Sequence, residues 1–224
     1  MIRKLIICLC FSPAFLGAQD SPTQTIFCVK PSLGINGCQI HGDSYSGYNK
    51  LGVFAGLSVN ARITEKTSLE MGFYFSQKGA RHNENPKAGD YTALLINLNY
   101  IDIPLSLYYK LPRDYFVSAG LSFAYLVNYY ESVNKADYTG LYHFNKFEYG
   151  LNGGIGKKLN KRLYLEVRSS NSVSPIRGYG IAATGVYYPN AIARFFNKGL
   201  YNNILSAFFT YQIGAKKTDD PKKK

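Results

Sequence analysis

The residues best suited to catalysis are three histidines, His41, His82 and His143, which all fall in or beside long breaks between apolar stretches. His41 opens the run His-Gly-Asp-Ser-Tyr, so Asp43 and Tyr45 stand close to it and the run offers a base, an acid and a hydroxyl group. Nothing in the sequence holds these groups in a fixed arrangement, and histidines scattered over loops are normally solvated. We therefore predict no catalytic residue, no metal site and no cofactor. An acyltransferase-like surface enzyme on an eight-stranded barrel stays as an alternative.

Charged residues form a second candidate set, because several of them share the small, polar face of segments with alternating polarity. If these segments close into a narrow barrel, opposite charges inside it should pair, since an unpaired buried charge is costly. A three-residue turn after the second segment would make Arg62 and Glu70 cross-strand neighbours. We expect a structural ion-pair network that plugs the lumen, with a conducting or proton-relay role as the alternative. Its predicted members are Arg62, Glu70, Asp102, Lys146, Glu148, Glu166 and Arg168.

Eight alternating segments would position these residues. They lie near 27–38, 50–63, 67–79, 93–110, 114–130, 144–158, 161–173 and 201–214. Short breaks at 64–67, 111–114 and 158–162 alternate with long ones near 39–50, 80–92, 132–143 and 174–200. Short periplasmic turns and longer extracellular loops are typical of outer-membrane barrels. The pattern predicts an all-β protein, a closed eight-stranded antiparallel up-and-down transmembrane β-barrel.

A soluble, lipocalin-like barrel that binds a small ligand would show the same period of two, so the choice depends on residue size. The polar face is mostly Gly, Ser, Asn and Ala, which fit a narrow lumen better than a water-facing exterior. Charged residues make up 18% of the chain, below the ordinary share of about 25%. Outward-phased Tyr109, Tyr115 and Tyr211 near short turns, and Tyr129 near a long loop, would form interfacial girdles. These features favour the membrane.

The fourth segment changes phase. Its apolar residues are even-numbered up to Leu98 and odd-numbered from Ile101, so we expect a bulge or a change of environment near Asn99 and Tyr100.

The first residues predict export. Arg3 and Lys4 precede an apolar stretch and small residues, so 1–18 are expected to be a signal peptide, 19–214 the barrel and 215–224 a charged periplasmic tail. Cys28 and Cys38 lie on the first segment. On one straight strand they would be roughly 33 Å apart, too far for a disulfide, so we expect no bond between them.

Basic residues are concentrated on the side of the short turns, in a chain of net charge +12. Lys157, Lys158, Lys161 and Arg162 share one turn, and such a rim would attract anionic headgroups or an acidic periplasmic partner. Export makes nucleic acid an unsuitable partner.

The longest break, 174–200, combines aromatic rings with arginines. It could bind a partner or fold over the barrel mouth as a lid. Its candidate residues are Arg177, Tyr179, Tyr187, Tyr188, Arg194, Phe195 and Phe196.

Five segments resemble the PorT-like outer-membrane β-barrel proteins. They are 42–52 (Gly-Asp-Ser-Tyr-Ser-Gly-Tyr-Asn-Lys-Leu-Gly), 76–79 (Ser-Gln-Lys-Gly), 98–105 (Leu-Asn-Tyr-Ile-Asp-Ile-Pro-Leu), 144–148 (Phe-Asn-Lys-Phe-Glu) and 202–205 (Asn-Asn-Ile-Leu). The Asn-Tyr-Ile-Asp-Ile-Pro run is the most specific, because proline inside a strand is unusual.

The resemblance implies a barrel in the outer membrane of a bacterium with two membranes, and it brings no catalytic residues. The founding member is needed for type IX secretion, so we expect a non-enzymatic, structural or secretion-associated protein. The expected partners are outer-membrane lipid and lipopolysaccharide, the barrel-insertion machinery and, for a secretion role, periplasmic or secretion-system proteins. One departure is visible: many outer-membrane barrels end on an aromatic residue, whereas here Phe209, Tyr211 and Ile213 are followed by the tail.

Overall fold

The computed structural model describes residues 27–43, 45, 47–178 and 199–213, which form one antiparallel sheet. Its strands are β1 (Phe27–His41), β2 (Lys50–Arg62), β3 (Thr67–His82), β4 (Leu94–Lys110), β5 (Tyr115–Val133), β6 (Ala136–Asp137), β7 (Phe147–Lys158), β8 (Leu163–Ser172), β9 (Arg177–Gly178) and β10 (Gly199–Tyr211). Two 3-10 turns, Pro86–Ala88 and Pro112–Asp114, lie between strands. No helix among the described residues is long and apolar enough to span a bilayer.

The sheet closes on itself. β1 to β5, β7, β8 and β10 each pair with the next long strand along the chain, and β10 pairs back with β1. This closing ladder runs from Ser32 opposite Thr210 to His41 opposite Tyr201. The short strands are additions, since β6 pairs with β5 and β9 with β10. The predicted closed, eight-stranded antiparallel barrel is confirmed.

The two ends of the barrel differ in their connections. Three short ones, 63–66, 111–114 and 159–162, lie at what we call the turn end, and the long ones lie at the opposite, loop end. Arg113 and Asp114 make the second turn tight, because their φ angles of 59° and 62° lie in the left-handed region.

The outer surface is apolar and the lumen is polar. Large apolar side chains project outward on every barrel strand; Leu51 is 72% exposed and Leu121 is 62% exposed. The inward face carries buried small polar residues: Ser32, Ser58, Ser76, Ser106, Ser118 and Ser206. A continuous apolar band of this kind is suited to lipid and would be a liability in water. The lipocalin-like arrangement is therefore wrong.

Tyrosines mark the turn end. Tyr109, Tyr115 and Tyr211 are exposed there, as predicted for an interfacial girdle. The prediction for Tyr129 is wrong, because a bulge in β5 reverses the phase of the strand above it. Tyr129 packs against buried apolar residues inside the barrel, and Tyr130 faces outward instead.

The bulge lies opposite Asn99 and Tyr100, where the phase change of the fourth segment predicted an irregularity. Asn99 pairs with Asn128 but Tyr100 pairs with Leu126, so the extra residue belongs to β5 and not to β4. β4 keeps its even-numbered residues inward throughout, with Ile96 and Tyr108 both buried. What changes along β4 is the environment inside the lumen, from apolar at the loop end to polar below it.

Inward glycines make room for large rings. A Cβ atom added at Gly72 would come within 2.0 Å of the Tyr74 ring, and one added at Gly156 within 2.2 Å of the Phe116 ring. Small and large residues thus alternate in the lumen, as a narrow barrel requires.

A positive charge on the lipid face tests the membrane band. Leu121→Arg at mid-strand should lower the free energy of unfolding by about 2–4 kcal/mol, because arginine is most costly near the bilayer midplane. Ile63→Arg, an exposed position at the turn end, should cost about 0–1 kcal/mol. Urea titration in lipid vesicles, followed by circular dichroism, measures both. Equal losses at the two positions would contradict the proposed band.

The close packing of Gly72 against Tyr74 can be tested by adding one methyl group. Gly72→Ala should cost about 1–3 kcal/mol by overpacking, and Tyr74→Leu in the same chain should recover part of that loss. Gly153→Ala is the matched control, because its new Cβ would meet only the Ser118 carbonyl oxygen, at 3.8 Å. An additive double mutant, measured in the same urea titration, would show that the ring and the methyl group do not collide.

Candidate functional site

The lumen holds two groups of buried charges separated by rings. The turn-end charge cluster consists of Lys30, Glu70, Tyr108, Glu166 and Arg168. The central charge cluster consists of Lys78, Asp102 and Glu148 with Tyr100 and Asn202. Between them Phe54 lies against Tyr74 and Phe208, with ring centroids 4.6 and 4.8 Å apart.

In the turn-end charge cluster, each carboxylate has a cation. The Lys30 ammonium donates to Glu70 at 2.8 Å, and Ser58 and Asn60 donate to the same carboxylate. Arg168 donates from Nε to Glu166 at 2.9 Å and from Nη2 to the Tyr108 hydroxyl at 2.6 Å. Both pairs are buried, so their charges are compensated inside the barrel.

In the central charge cluster, one cation serves two acids. The Lys78 ammonium donates to Asp102 at 2.9 Å and to Glu148 at 3.0 Å, and it lies 4.7 Å from the centre of the Tyr100 ring. Asn202 donates to the second oxygen of Glu148 at 2.6 Å. Side chains from β3, β4, β7 and β10 therefore meet across the lumen.

Apolar side chains close the lumen above the central charge cluster. They come from β1, β3, β4, β5 and β10 and from the segments that flank the mouth: Ile40, Ala80, Ile96, Leu98, Tyr100, Ala124, Leu126, Phe144, Ile176 and Leu200. A cavity of only about 20 Å³ remains between the two charge clusters, lined by Lys78, Asp102 and Arg168 among others. Between the two charge clusters the described part of the interior is closely packed.

The turn end carries a larger hollow, which we call the turn-end cup. Its volume is about 200 Å³ and Lys30, Glu70, Tyr108 and Glu166 are among its lining residues. Phe116 and Tyr164 form part of its wall, with their rings 6.2 Å apart. The cup is blind, because the turn-end charge cluster and the aromatic rings above it close its inner end.

The structure places most of the predicted lumen charges inside, with two exceptions. Arg62 is exposed at the cup, and it pairs in register with Ser68 while Glu70 pairs with Asn60, so the expected neighbourhood of Arg62 and Glu70 is wrong. The reason is that the turn is centred on Glu65, one residue earlier than a pairing of Arg62 with Glu70 requires. Lys146 is also exposed, because β7 begins only at Phe147 and the alternation does not reach back to it.

Sequence reasoning missed three buried lysines, Lys30, Lys50 and Lys78. Of these, Lys30 and Lys78 hold three of the four carboxylates of the two charge clusters. Both are even-numbered residues in segments whose odd-numbered residues are apolar, so the parity that selected Glu70 also selects them.

The histidines do not assemble into one site. The His82 ring stacks on Tyr45 at 3.9 Å and contacts Asp90, while Nδ1 of His143 lies 3.3 Å from the Tyr129 hydroxyl. Hydrogen bonds from the Thr92 amide and from His82 lower the pKa of Asp90. Tyr45 donates its amide N–H to Asp43 in a local turn, so these contacts order the loops.

The longest loop is described only at its base. The Arg177 guanidinium donates to Glu131 at 2.6 and 3.1 Å and lies over the Phe144 ring at 4.4 Å, so it fastens the loop base to β5. The other candidate residues of this loop lie outside the described residues: Tyr179, Tyr187, Tyr188, Arg194, Phe195 and Phe196. The predicted signal peptide and the tail also lie outside them.

The two cysteines of β1 behave as predicted. Cys28 and Cys38 are free thiols on one continuous strand, and the Cys38 thiol points toward the Gln77 carbonyl oxygen.

The central charge cluster predicts a large stability difference between two lysines. Lys78→Met leaves Asp102 and Glu148 buried without a cation, so the free energy of unfolding should fall by about 3–5 kcal/mol. Lys146→Met removes an exposed lysine and should change it by less than about 0.5 kcal/mol. Urea titration in vesicles compares them. Similar losses for both substitutions would contradict the placement of the two residues.

Comparison with known proteins agrees with this architecture. A family model described as "Outer membrane protein beta-barrel domain" matches residues 18–177. No curated protein matches the chain. Among solved structures, the chain is similar to the attachment invasion locus protein Ail of Yersinia pestis (9% identity, TM-score 0.49, 83% of this chain and 98% of that chain).

Two further barrels show the same likeness. Neisserial surface protein A is 12% identical with a TM-score of 0.45, covering 85% of this chain and 99% of that chain. OprG of Pseudomonas aeruginosa is 13% identical with a TM-score of 0.37, covering 86% of this chain and 98% of that chain. The closed barrel, its apolar outer face and the family match give one conclusion: the chain is a bacterial outer-membrane protein that belongs to the outer membrane protein beta-barrel domain family.

Proposed function

We propose that this protein is a non-conducting, non-enzymatic barrel of the PorT type that acts through its two ends as a structural or secretion-associated component. The observation that carries the proposal is where the segments resembling PorT-like proteins meet. Lys78 comes from 76–79, Tyr100 and Asp102 from 98–105, Glu148 from 144–148 and Asn202 from 202–205. All five residues belong to the central charge cluster.

The segments that carry the resemblance therefore lie together in the folded barrel. Four segments far apart in the chain supply the cation, both acids, the amide donor and the ring of a single contact set. A barrel that keeps these segments keeps its interior cross-linked. The resemblance therefore concerns how the lumen is built, and supports a shared barrel type.

The packed lumen supports a role that does not involve transport through the barrel. The cavity between the charge clusters is about 20 Å³, enough for about one water and too small for a continuous water-filled path. Apolar residues pack above it. Surfaces left for function are the loop end, fastened by Arg177 and Glu131, and the turn end with its lysines.

Three arrangements support the non-enzymatic part of the proposal. His41 ends β1, His82 stacks on Tyr45 and contacts Asp90, and His143 contacts Tyr129 elsewhere, whereas Asp43 lies near both His41 and His82. Asp43 is engaged by a backbone amide. A base, an acid and a nucleophile that act together would need mutual hydrogen-bond contact.

Deletion of the gene tests the secretion role. The proteins released by the bacterium should fall in amount outside the cell and accumulate in the periplasm, because their export across the outer membrane would fail. Quantitative proteomics of the medium and the periplasm measures both changes. The wild-type chain and Lys146→Met should restore export.

Lys78→Met provides the structural arm of that experiment. It should restore export less well in proportion to the folded barrel it leaves in the outer membrane, which immunoblotting of membrane fractions quantifies. An unchanged set of released proteins after deletion would overturn the secretion role and leave a structural one.

A further inference from the structure

The turn-end cup combines a neutral floor with a basic rim. On its floor, Lys30 is paired with Glu70, and Glu166 with Arg168, so these buried charges cancel. The remaining ionisable side chains of the lining contain more cations than acids: Arg62, Lys66, Lys110 and Lys158 against Glu65 and Asp114. The potential at the mouth is therefore positive, and low-dielectric walls focus it into the cup.

One wall of the cup is aromatic. The Phe116 ring lies 5.6 Å from the Tyr108 ring and 6.2 Å from the Tyr164 ring. The Tyr164 hydroxyl donates to Gln212 at 2.7 Å, which holds that ring in place. The Lys158 ammonium lies 5.9 Å from the centre of the Tyr164 ring, so a cation stands beside the aromatic wall. A planar apolar group can stack on such rings.

The volume of the cup limits what can enter. About 200 Å³ is the liquid volume of roughly seven waters, and it is below the usual range of about 300–1,000 Å³ for drug-sized ligands. One ring with a short polar arm fits, whereas a folded chain or a lipid tail does not.

We propose that the turn-end cup binds an aromatic carboxylate, with the ring against Phe116 and Tyr164 and the carboxylate at the basic rim, where Lys110 and Lys158 line the cup. Short turns face the periplasm in outer-membrane barrels, so the ligand would come from there. The chemistry has two sources, a free aromatic acid or the carboxyl-terminal aromatic residue of a peptide. This inference does not depend on the secretion role.

The test uses the full chain in nanodiscs of zwitterionic phosphatidylcholine, which offer no competing net negative headgroup. The probe is N-acetyl-4-fluorophenylalanine, followed by fluorine NMR line broadening on titration. Saturable binding is expected with the protein and none with empty nanodiscs. The corresponding amide, which lacks the carboxylate, should bind at least tenfold more weakly. Equal binding of acid and amide would overturn the proposal.

Rim substitutions locate the site. Lys110→Met with Lys158→Met should weaken binding at least tenfold, because the carboxylate loses both cations. Lys161→Met is the matched control, since this exposed turn-end lysine does not line the cup, and it should leave binding unchanged. Circular dichroism of each variant verifies the barrel. Binding that survives the double substitution, or falls equally with Lys161→Met, would overturn the proposal.

A peptide probe distinguishes a free aromatic acid from the carboxyl-terminal residue of a peptide. A pentapeptide ending in 4-fluorophenylalanine with a free carboxylate is compared with N-acetyl-4-fluorophenylalanine. Tighter binding of the peptide assigns the cup to polypeptide termini, and tighter binding of the small acid assigns it to free aromatic acids. Failure of both probes would overturn the proposal while leaving the secretion experiment unaffected.

Discussion

The structure depends on burying Lys78 between two carboxylates inside a narrow lumen. An isolated charge there would be very costly, so the ammonium, Asp102 and Glu148 must arrive together. They come from β3, β4 and β7, and Asn202 adds β10 to the same contact set. Because a slip of one residue would turn these charges toward lipid, the cluster specifies the register of half of the barrel strands at once.

The rest of the lumen follows the same rule, with even-numbered residues pointing inward. Below the β5 bulge, the barrel strands turn even-numbered residues inward, so polar residues, aromatic rings and glycines stack in layers from the cup to the apolar cluster. The bulge reverses β5 near the mouth, which places Tyr129 inside and lets Glu131 hold Arg177. A sealed loop end and a hollow, basic turn end follow from this order, and they give the two faces of the protein different chemistry.

Alternation and break length were sufficient to predict the strands, their closure and the inward direction of Glu70, Asp102, Glu148, Glu166 and Arg168. These two patterns failed where the position of a turn, the start of a strand or the location of a bulge differed from the expectation. The turn after β2 is centred one residue earlier than assumed, so Arg62 faces Ser68 and not Glu70. β7 begins only at Phe147, which leaves Lys146 exposed, and the bulge lies on β5, which turns Tyr129 inward. Which residues meet across the lumen, such as Lys78 and Glu148, depends on the stagger of the strands around the barrel. Alternation along a single strand does not reveal that stagger.

Electrical recording can test whether ion pairs and apolar packing seal this barrel. The purified chain is inserted into a planar lipid bilayer and the current is measured across a range of voltages. We expect no stable open state, because the cavity between the charge clusters is about 20 Å³ and apolar side chains pack above it. A steady, reproducible conductance from the wild-type chain would contradict it.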